Sequence, residues 1–407
     1  MIRDNAYSDH HPLAHTLMIK LFFGFGAEIF GSANAGVAAY SVFQILCVAA
    51  VFAYLFMTIY EMGGNYKKIA FITEMVYIIL PYNIELSVSM RKDTLFSLCI
   101  LLFIMALYRL SRSEKTLCDS IVFSVSSFGI CLLRNNGMMI FLACAVIFAI
   151  MFKNKKKTEL IIMSVVAVLS LVMTPFMKKE LNAVSPDYLE KVGVPMQQVV
   201  RVIVDGYELT DKQNEIAVKL FGEGYRDGLR QVYLPYFADP TKEYIRENGD
   251  VKALQDNLNE YLGLYIELGV EHPLEYIKAW IDETRGYWNG GYNYWRWEQG
   301  VVLNDLGIYR EYPFEMIHRL MCEYLWLWQR IPLLIPFLCI GLQTWLIMLV
   351  MNEGIVRGDK VIVAMTLPLA INILTLMLAT PVFAEFRYAY SSFLCVPFLF
   401  LTCVRRE

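Results

Sequence analysis

The sequence predicts an all-α fold: a polytopic membrane helix bundle of about nine spans, joined to one mostly helical hydrophilic domain. Three observations predict it. The chain is 57% hydrophobic with a mean hydropathy of +0.44, so most of it needs an apolar solvent. Its apolar residues gather in runs near the length of about 20 that crosses roughly 30 Å of hydrocarbon. Lys and Arg mark every second connection between those runs, as expected when short cytoplasmic loops collect positive charge.

The runs lie near residues 37–60, 69–88, 94–110, 117–133, 137–152, 158–177, 331–351, 361–380 and 387–404. The fourth and fifth are short and share one tight polar turn. Lys67-Lys68, the Arg109 to Lys115 stretch, the Lys153 to Lys157 run, Arg357 with Lys360, and Arg405-Arg406 fall on alternate connections. One side therefore holds them all, and that side is expected to be the cytoplasm. The N-terminus and the large loop are then outside and the C-terminus inside. Three regions follow: a membrane region 1–177 with six spans, a loop domain 178–328, and a membrane region 329–407 with three spans.

Residues 178–328 carry 16 Lys and Arg against 25 Asp and Glu, net −9, whereas the remainder is net +6. An acidic domain argues against nucleic acid and against tight contact with anionic headgroups. Apolar residues at three- and four-residue spacing predict helices over 239–262 and 273–286, with Pro273 in a first helical turn. Of nine Cys, only Cys322 belongs to the loop, which excludes a disulfide framework there. There is no CxxC pattern, internal repeat, Walker-type loop or GxGxxG loop.

The first 35 residues have no signal-peptide pattern, yet the topology puts them outside. Either the first span translocates a short tail, or an upstream helix is missing; the second is the expectation. Residues 13–30, with Lys20 and Glu28, form an amphipathic stretch suited to lying along the interface.

Four polar clusters break the apolar pattern, and the topology puts all of them on the non-cytoplasmic face. Asp9-His10-His11-Pro12 offers a carboxylate and imidazoles for a divalent metal or for general-base work; it is equally a helix start capped by Ser8 or Asp9. Arg91-Lys92-Asp93 opens a span with cations on the outer side, against the positive-inside bias. It fits either a phosphate at a helix N-terminus or an interfacial salt bridge with Asp93 as cap. Arg134 and Asn135 sit in the short turn, with Arg134 a phosphate ligand or a snorkelling anchor and Glu85 its candidate partner. Glu74 lies deeper in the same span as Glu85, where an acid needs a partner or a protein-lined cavity. Glu385, Arg387 and Tyr388 begin the last span, with Arg387 suited to a phosphate and Glu385 to a hydroxyl, or the two to each other. Residues 286–298 hold Trp288 and Trp295 among Tyr, Asn and Gly, which suits sugar stacking or an interfacial aromatic belt.

In order and shared face these motifs resemble the GT-C superfamily of glycosyltransferases, which includes protein O-mannosyltransferases and aminoarabinose lipid A transferases. The nearest likeness is to a bacterial multipass family of unknown function related to them. The residues that carry it are Asp9 to Thr16, Lys92-Asp93, Arg134 to Gly137, His272 to Tyr276 with Gly286 to Trp288, and Glu385 to Tyr388. The resemblance implies a bacterial cytoplasmic membrane and transfer of a sugar from a polyprenyl-phosphate donor to a glycan, lipid or protein acceptor outside. Asp9, His10, His11 and Glu385 are then the catalytic candidates. Arg91, Lys92, Asp93, Arg134, Asn135, Arg387, Tyr388, Trp288 and Trp295 are the substrate-binding ones. No cofactor is certain, and a divalent metal stays open. Such proteins carry their main acid in a first outer loop that this chain lacks, which puts catalysis by Asp9 in question. Competing expectations are a lipid-linked glycan transporter or flippase, a polysaccharide polymerase, and a non-catalytic membrane component.

Overall fold

The computed structural model describes residues 6–111, 116–153, 155–291, 301, 304–310, 314–380 and 382–405. These residues form helices and no extended strands, only isolated bridges such as Ser8 with Val184. The chain divides into two compact units, residues 1–184, 293–372 and 386–407 in the first, and 185–292 with 373–385 in the second.

In the first unit the chain opens with α1 (Leu13–Phe30), α2 (Ala33–Tyr60), α3 (Tyr66–Ile79), α4 (Pro81–Val88), α5 (Lys92–Ser111), α6 (Leu117–Leu133), α7 (Gly137–Phe152) and α8 (Lys157–Glu180). The expected 13–30 stretch is the helix α1. It meets α2 through Gly26, where an added Cβ would lie 2.2 Å from the Gly36 nitrogen, and through His15 and Phe22 against Tyr40. These contacts all fall in the first turns of α2.

The expected span 69–88 is broken. α3 and α4 meet at 61°, and Pro81 is the cause, because it has no N–H to offer the Tyr77 carbonyl four residues earlier. The Asn83 amide takes that place, donating to Tyr77 O at 2.8 Å, while Tyr390 Oη donates to Asn83 Oδ1 at 2.7 Å. A break at membrane depth survives only where its freed backbone groups are satisfied in this way.

The second unit holds α9 (Gly193–Val204), α10 (Asp211–Phe221), α11 (Tyr225–Val232), α12 (Asp239–Asn248), α13 (Val251–Asp256), α14 (Leu258–Glu271) and α15 (Pro273–Trp288). Met196, Val199, Val200 and Ile203 repeat at helical spacing along α9 and pack with Phe221, Ile245, Leu264 and Leu268 in one core. The single helix expected over 239–262 is three. Gly249 interrupts it, approaching so closely that a Cβ there would sit 2.1 Å from Leu220 O, and Asp250 then caps α13 through the Ala253 N–H at 2.8 Å. The helix expected over 273–286 is α15.

Back in the first unit come α16 (Glu315–Arg330), a 3₁₀ turn at Pro332–Phe337, α17 (Ile340–Arg357), α18 (Lys360–Ala379), whose residues from 373 on belong to the second unit, and α19 (Phe386–Val404). The span expected at 331–351 therefore starts late: Pro332 and Pro336 hold its first third in the 3₁₀ turn. Among the described residues six helices are long and apolar enough to cross a membrane (α1, α2, α5, α8, α18 and α19), or seven with α3–α4 as one bent span. α6 and α7, with 17 and 16 residues, are shorter apolar helices.

The basic connections gather at one end of these helices. Arg109 bridges Glu61 at 2.5 Å and Asp119 at 2.6 Å. Lys156 donates to Leu110 O, Lys360 to Met151 O and Arg357 to Cys403 O, at 3.0, 2.7 and 2.7 Å. Arg405 donates to Tyr108 Oη. Cations there satisfy the carbonyls that helix C-termini leave open.

Candidate functional site

Sequence-distant polar motifs meet at the opposite ends of the same helices. α5 runs from the Arg109 end to Lys92 and Asp93 at its other end, and α6 runs from Asp119 to Arg134. Asp93 is buried in the first turn of α5. Arg134, also buried, places Nε 3.7 Å from Asp93 Oδ1 and donates through Nη1 to Tyr388 O at 3.2 Å. Its guanidinium also lies over the rings of Tyr388 and Phe96, at 4.5 and 5.5 Å. Asp93 is thus a carboxylate partner of Arg134. Glu85 is buried on α4. Asp93 is a first-turn acid with an ion-pair partner rather than the cap of α5.

Arg387 also lies over the Tyr388 ring, with Cζ 4.9 Å from the centroid and Nη2 donating to Tyr388 Oη at 3.3 Å. One tyrosine ring is therefore shared by two guanidiniums, an arrangement favoured by the negative face of the ring. Asn372 donates to the same Tyr388 carbonyl at 3.2 Å.

The N-terminal motif is held here by its backbone. The Asn135 amide donates to Asp9 O and His10 O at 3.2 and 3.0 Å. Asp9 N–H donates to Val184 O, and Val184 N–H to Tyr7 O, at 3.1 and 2.9 Å. The Asp9 carboxylate pairs with Lys178 at 2.6 Å. Lys92 Nζ lies 3.4 Å from His11 Nδ1. Burial and then the Lys92 charge, with His10 and Arg387 adding, bring His11 down to about 4, so the ring is neutral near pH 7. An ammonium only donates, so Nδ1 keeps its lone pair and the ring proton sits on Nε2. His11 then offers an N–H to a ligand. His10 packs its ring 4.7 Å from that of His11.

Arg91, Glu385 and Trp288 have contacts of their own. Arg91 is half-buried, and among the described residues its side chain makes no ion pair; its N–H donates to Ser89 O at 2.7 Å. Glu385 and Trp288 belong to the second unit, where Glu385 N–H donates to Tyr287 Oη and Trp288 Nε1 to Thr284 Oγ1, both at 3.3 Å. Trp295 lies outside the described residues. Among the described residues no three His, Cys, Asp or Glu side chains converge as metal ligands.

The structure adds residues that the motifs did not single out. Lys178 partners Asp9. A buried chain runs from His15 Nε2 to Tyr40 Oη at 2.8 Å and from Tyr40 to Gln44 Oε1 at 3.2 Å. Gln44 Nε2 then reaches the carbonyls of Leu86, Ser87 and Ser89 at 2.8, 3.0 and 2.6 Å. A glutamine in the middle of an apolar run was the available signal; it answers the open carbonyls at the end of α4.

No curated protein and no solved structure matches the chain. A family model matches residues 2–407, nearly the whole length. The chain belongs to that family, the family of unknown function DUF6020.

Proposed function

We propose that the protein is a membrane glycosyltransferase that moves a sugar from a polyprenyl-phosphate donor to a glycan, lipid or protein acceptor, with a GT-C-type bundle as its frame. One observation carries the reading: Lys92, Arg387 and the neutral His11 N–H converge beside the buried Asp93–Arg134 pair, at the end of the helices opposite the basic connections. Those connections belong in the cytoplasm by the positive-inside rule, which puts the site, the N-terminus and the 178–328 loop outside a bacterial cytoplasmic membrane. In the reaction the acceptor oxygen bonds to the anomeric carbon, whose bond to the phosphate oxygen breaks. Lys92 and Arg387 neutralise the departing lipid phosphate. His11 donates to a phosphate or sugar oxygen. Asp9 is the carboxylate that takes the acceptor proton.

The test uses the full chain in lipid nanodiscs. Farnesyl phosphate is titrated and detected by native mass spectrometry, and a panel of polyprenyl-phosphate hexoses and pentoses is assayed for release of polyprenyl phosphate. Lys92→Ala and Arg387→Ala are each expected to weaken farnesyl phosphate binding at least tenfold and to cut turnover by about 10²-fold or more. Binding and turnover that survive both substitutions overturn the assignment.

A second reading has one observation of its own. The broken α3–α4 segment, with the half-buried Glu74 on α3, has the form of a discontinuous transporter helix. Movement of a lipid-linked glycan across the nanodisc-equivalent liposome bilayer, lost in Glu74→Gln and kept in Lys92→Ala, would favour it.

A further inference from the structure

α16 falls in the hydrophilic 178–328 segment up to its last two residues, yet it belongs to the first unit with the candidate spans. At about 100° per residue its surface divides into three stripes. Leu325 and Trp328 are buried, and Tyr324 Oη, next to them on the wheel, donates to Ile79 O at the bend of α3. Glu315, Arg319, Glu323 and Arg330 share an arc of about 80°. Met316, Leu320 and Leu327 share the next arc of about 40°, and Ile317 lies about 60° beyond it, between Tyr324 and Trp328. These apolar residues are exposed: Met316 by 73%, Leu320 by 62%, Ile317 by 55% and Leu327 by 50%. Arg330 lies over the Trp326 ring at 5.4 Å, on the charged side.

We propose that α16 is an interfacial helix whose Met316–Leu320–Leu327 stripe sits in the acyl boundary of the lipid, with its charged stripe among the headgroups. A helix packed on protein needs two faces, one apolar and one polar. This helix has a second apolar stripe that the protein leaves uncovered, and lipid is the occupant that continuity favours. Ile78 and Ile79, beside which α16 docks, are themselves exposed by 53% and 50% on the bent span. The 3₁₀ turn at Pro332–Phe337 then leads straight to α17, with Leu333 exposed by 82%. Charges on one edge and an aromatic–arginine pair at the border are the pattern of a helix lying in the interface plane.

The test places a spin-labelled amino acid singly at residues 316, 319, 320, 323 and 327 of the full chain in nanodiscs, all on the exposed surface of α16. Relaxation is measured with oxygen, which partitions into lipid, and with a water-soluble nickel chelate. The expected result is strong oxygen access and weak chelate access at 316, 320 and 327, reversed at 319 and 323. Chelate access at 316, 320 and 327 equal to that at 319 and 323 overturns the proposal in favour of a water-facing helix. Shielding of 316, 320 and 327 from both reagents overturns it in favour of a protein partner. Neither readout depends on turnover, so the proposed reaction and this surface fail separately.

Discussion

Glu283 gives the sharpest quantitative test of the second unit. It lies on the inner face of α15, fully buried, and among the described residues neither carboxylate oxygen has a hydrogen-bond partner. Burial raises it from the usual 4.5 to about 9; Asp282 adds to the rise and Lys242 opposes it. Lys242 is engaged by Glu190 at 2.8 Å and Asp239 at 3.3 Å, which limits how far it can help. The folded state therefore holds a proton that the unfolded chain releases above about 4.5. Stability from this group is complete below that pH and falls by about 1.4 kcal/mol per unit until the folded carboxyl ionises near 9. Relative to Glu283→Gln, which is neutral throughout, the native residue costs about 2 kcal/mol at pH 6 and about 5 kcal/mol at pH 8. Thermal unfolding of the full chain in nanodiscs, followed by near-ultraviolet circular dichroism, reads the difference. The variant should gain roughly 5–10 °C in Tm over the native chain as the pH goes from 6 to 8. A Tm difference that stays constant between those values would refute the buried, protonated state.

Two further substitutions probe the first unit. Gly26→Val drives a side chain into the Gly36 backbone, 2.2 Å from where a Cβ would sit; a loss of about 1–3 kcal/mol or more is expected, read as a lower Tm, and an unchanged melt would mean that α1 does not pack on α2 as described. Arg134→Met leaves Asp93 buried without its cation and should cost about 3–5 kcal/mol. Arg134→Lys should recover little of it, because an ammonium cannot bridge Asp93 and the Tyr388 carbonyl while stacking on the Tyr388 ring; full recovery in the melt would count against that geometry.

What the sequence made legible followed from periodic or compositional signals. Apolar runs located α2, α5, α8, α18 and α19, and the alternation of Lys and Arg foretold which helix ends would meet. Helix breaks were less legible because their causes are local and tertiary. Pro81 is visible in the sequence, but whether a proline kinks a span or ends it depends on a donor such as Asn83, six residues from the carbonyl it serves. Gly249 reads as a tolerable glycine until the Leu220 carbonyl is placed beside it. In the site, Asp9, His11, Lys92 and Arg134 stood out by charge in apolar surroundings. Their partners did not. Lys178 stands at the start of the loop domain and Tyr40 and Gln44 inside an apolar run; the fold of the N-terminal segment brings Asp9 to Lys178, and the packing of α1 and α4 on α2 gives Tyr40 and Gln44 their partners.

The geometry also sorts the basic residues of the site by what they are able to do. Arg134 has its guanidinium engaged by Asp93 near Nε, by the Tyr388 carbonyl at Nη1 and by two aromatic rings. A residue so engaged positions others, and moving it toward a ligand would strand a buried carboxylate. Asn135, its neighbour, spends its amide on two backbone carbonyls of the N-terminal motif. The short turn between α6 and α7 is therefore a hub that fixes both Asp9-His10 and the start of α19, and Gly137 belongs to it because a Cβ there would lie 1.9 Å from Ile130 O. Lys92 is different, because its contact is a 3.4 Å approach to a neutral imidazole, which offers no opposite charge. If a phosphate binds at this end, charge neutralisation falls to Lys92 and Arg387, and Arg134 governs whether they are in place. Binding measured against salt separates the two roles. Lys92→Ala should lower the salt dependence of farnesyl phosphate affinity by removing a ligand-facing charge, whereas Arg134→Lys should lower affinity and Tm together with the salt dependence kept.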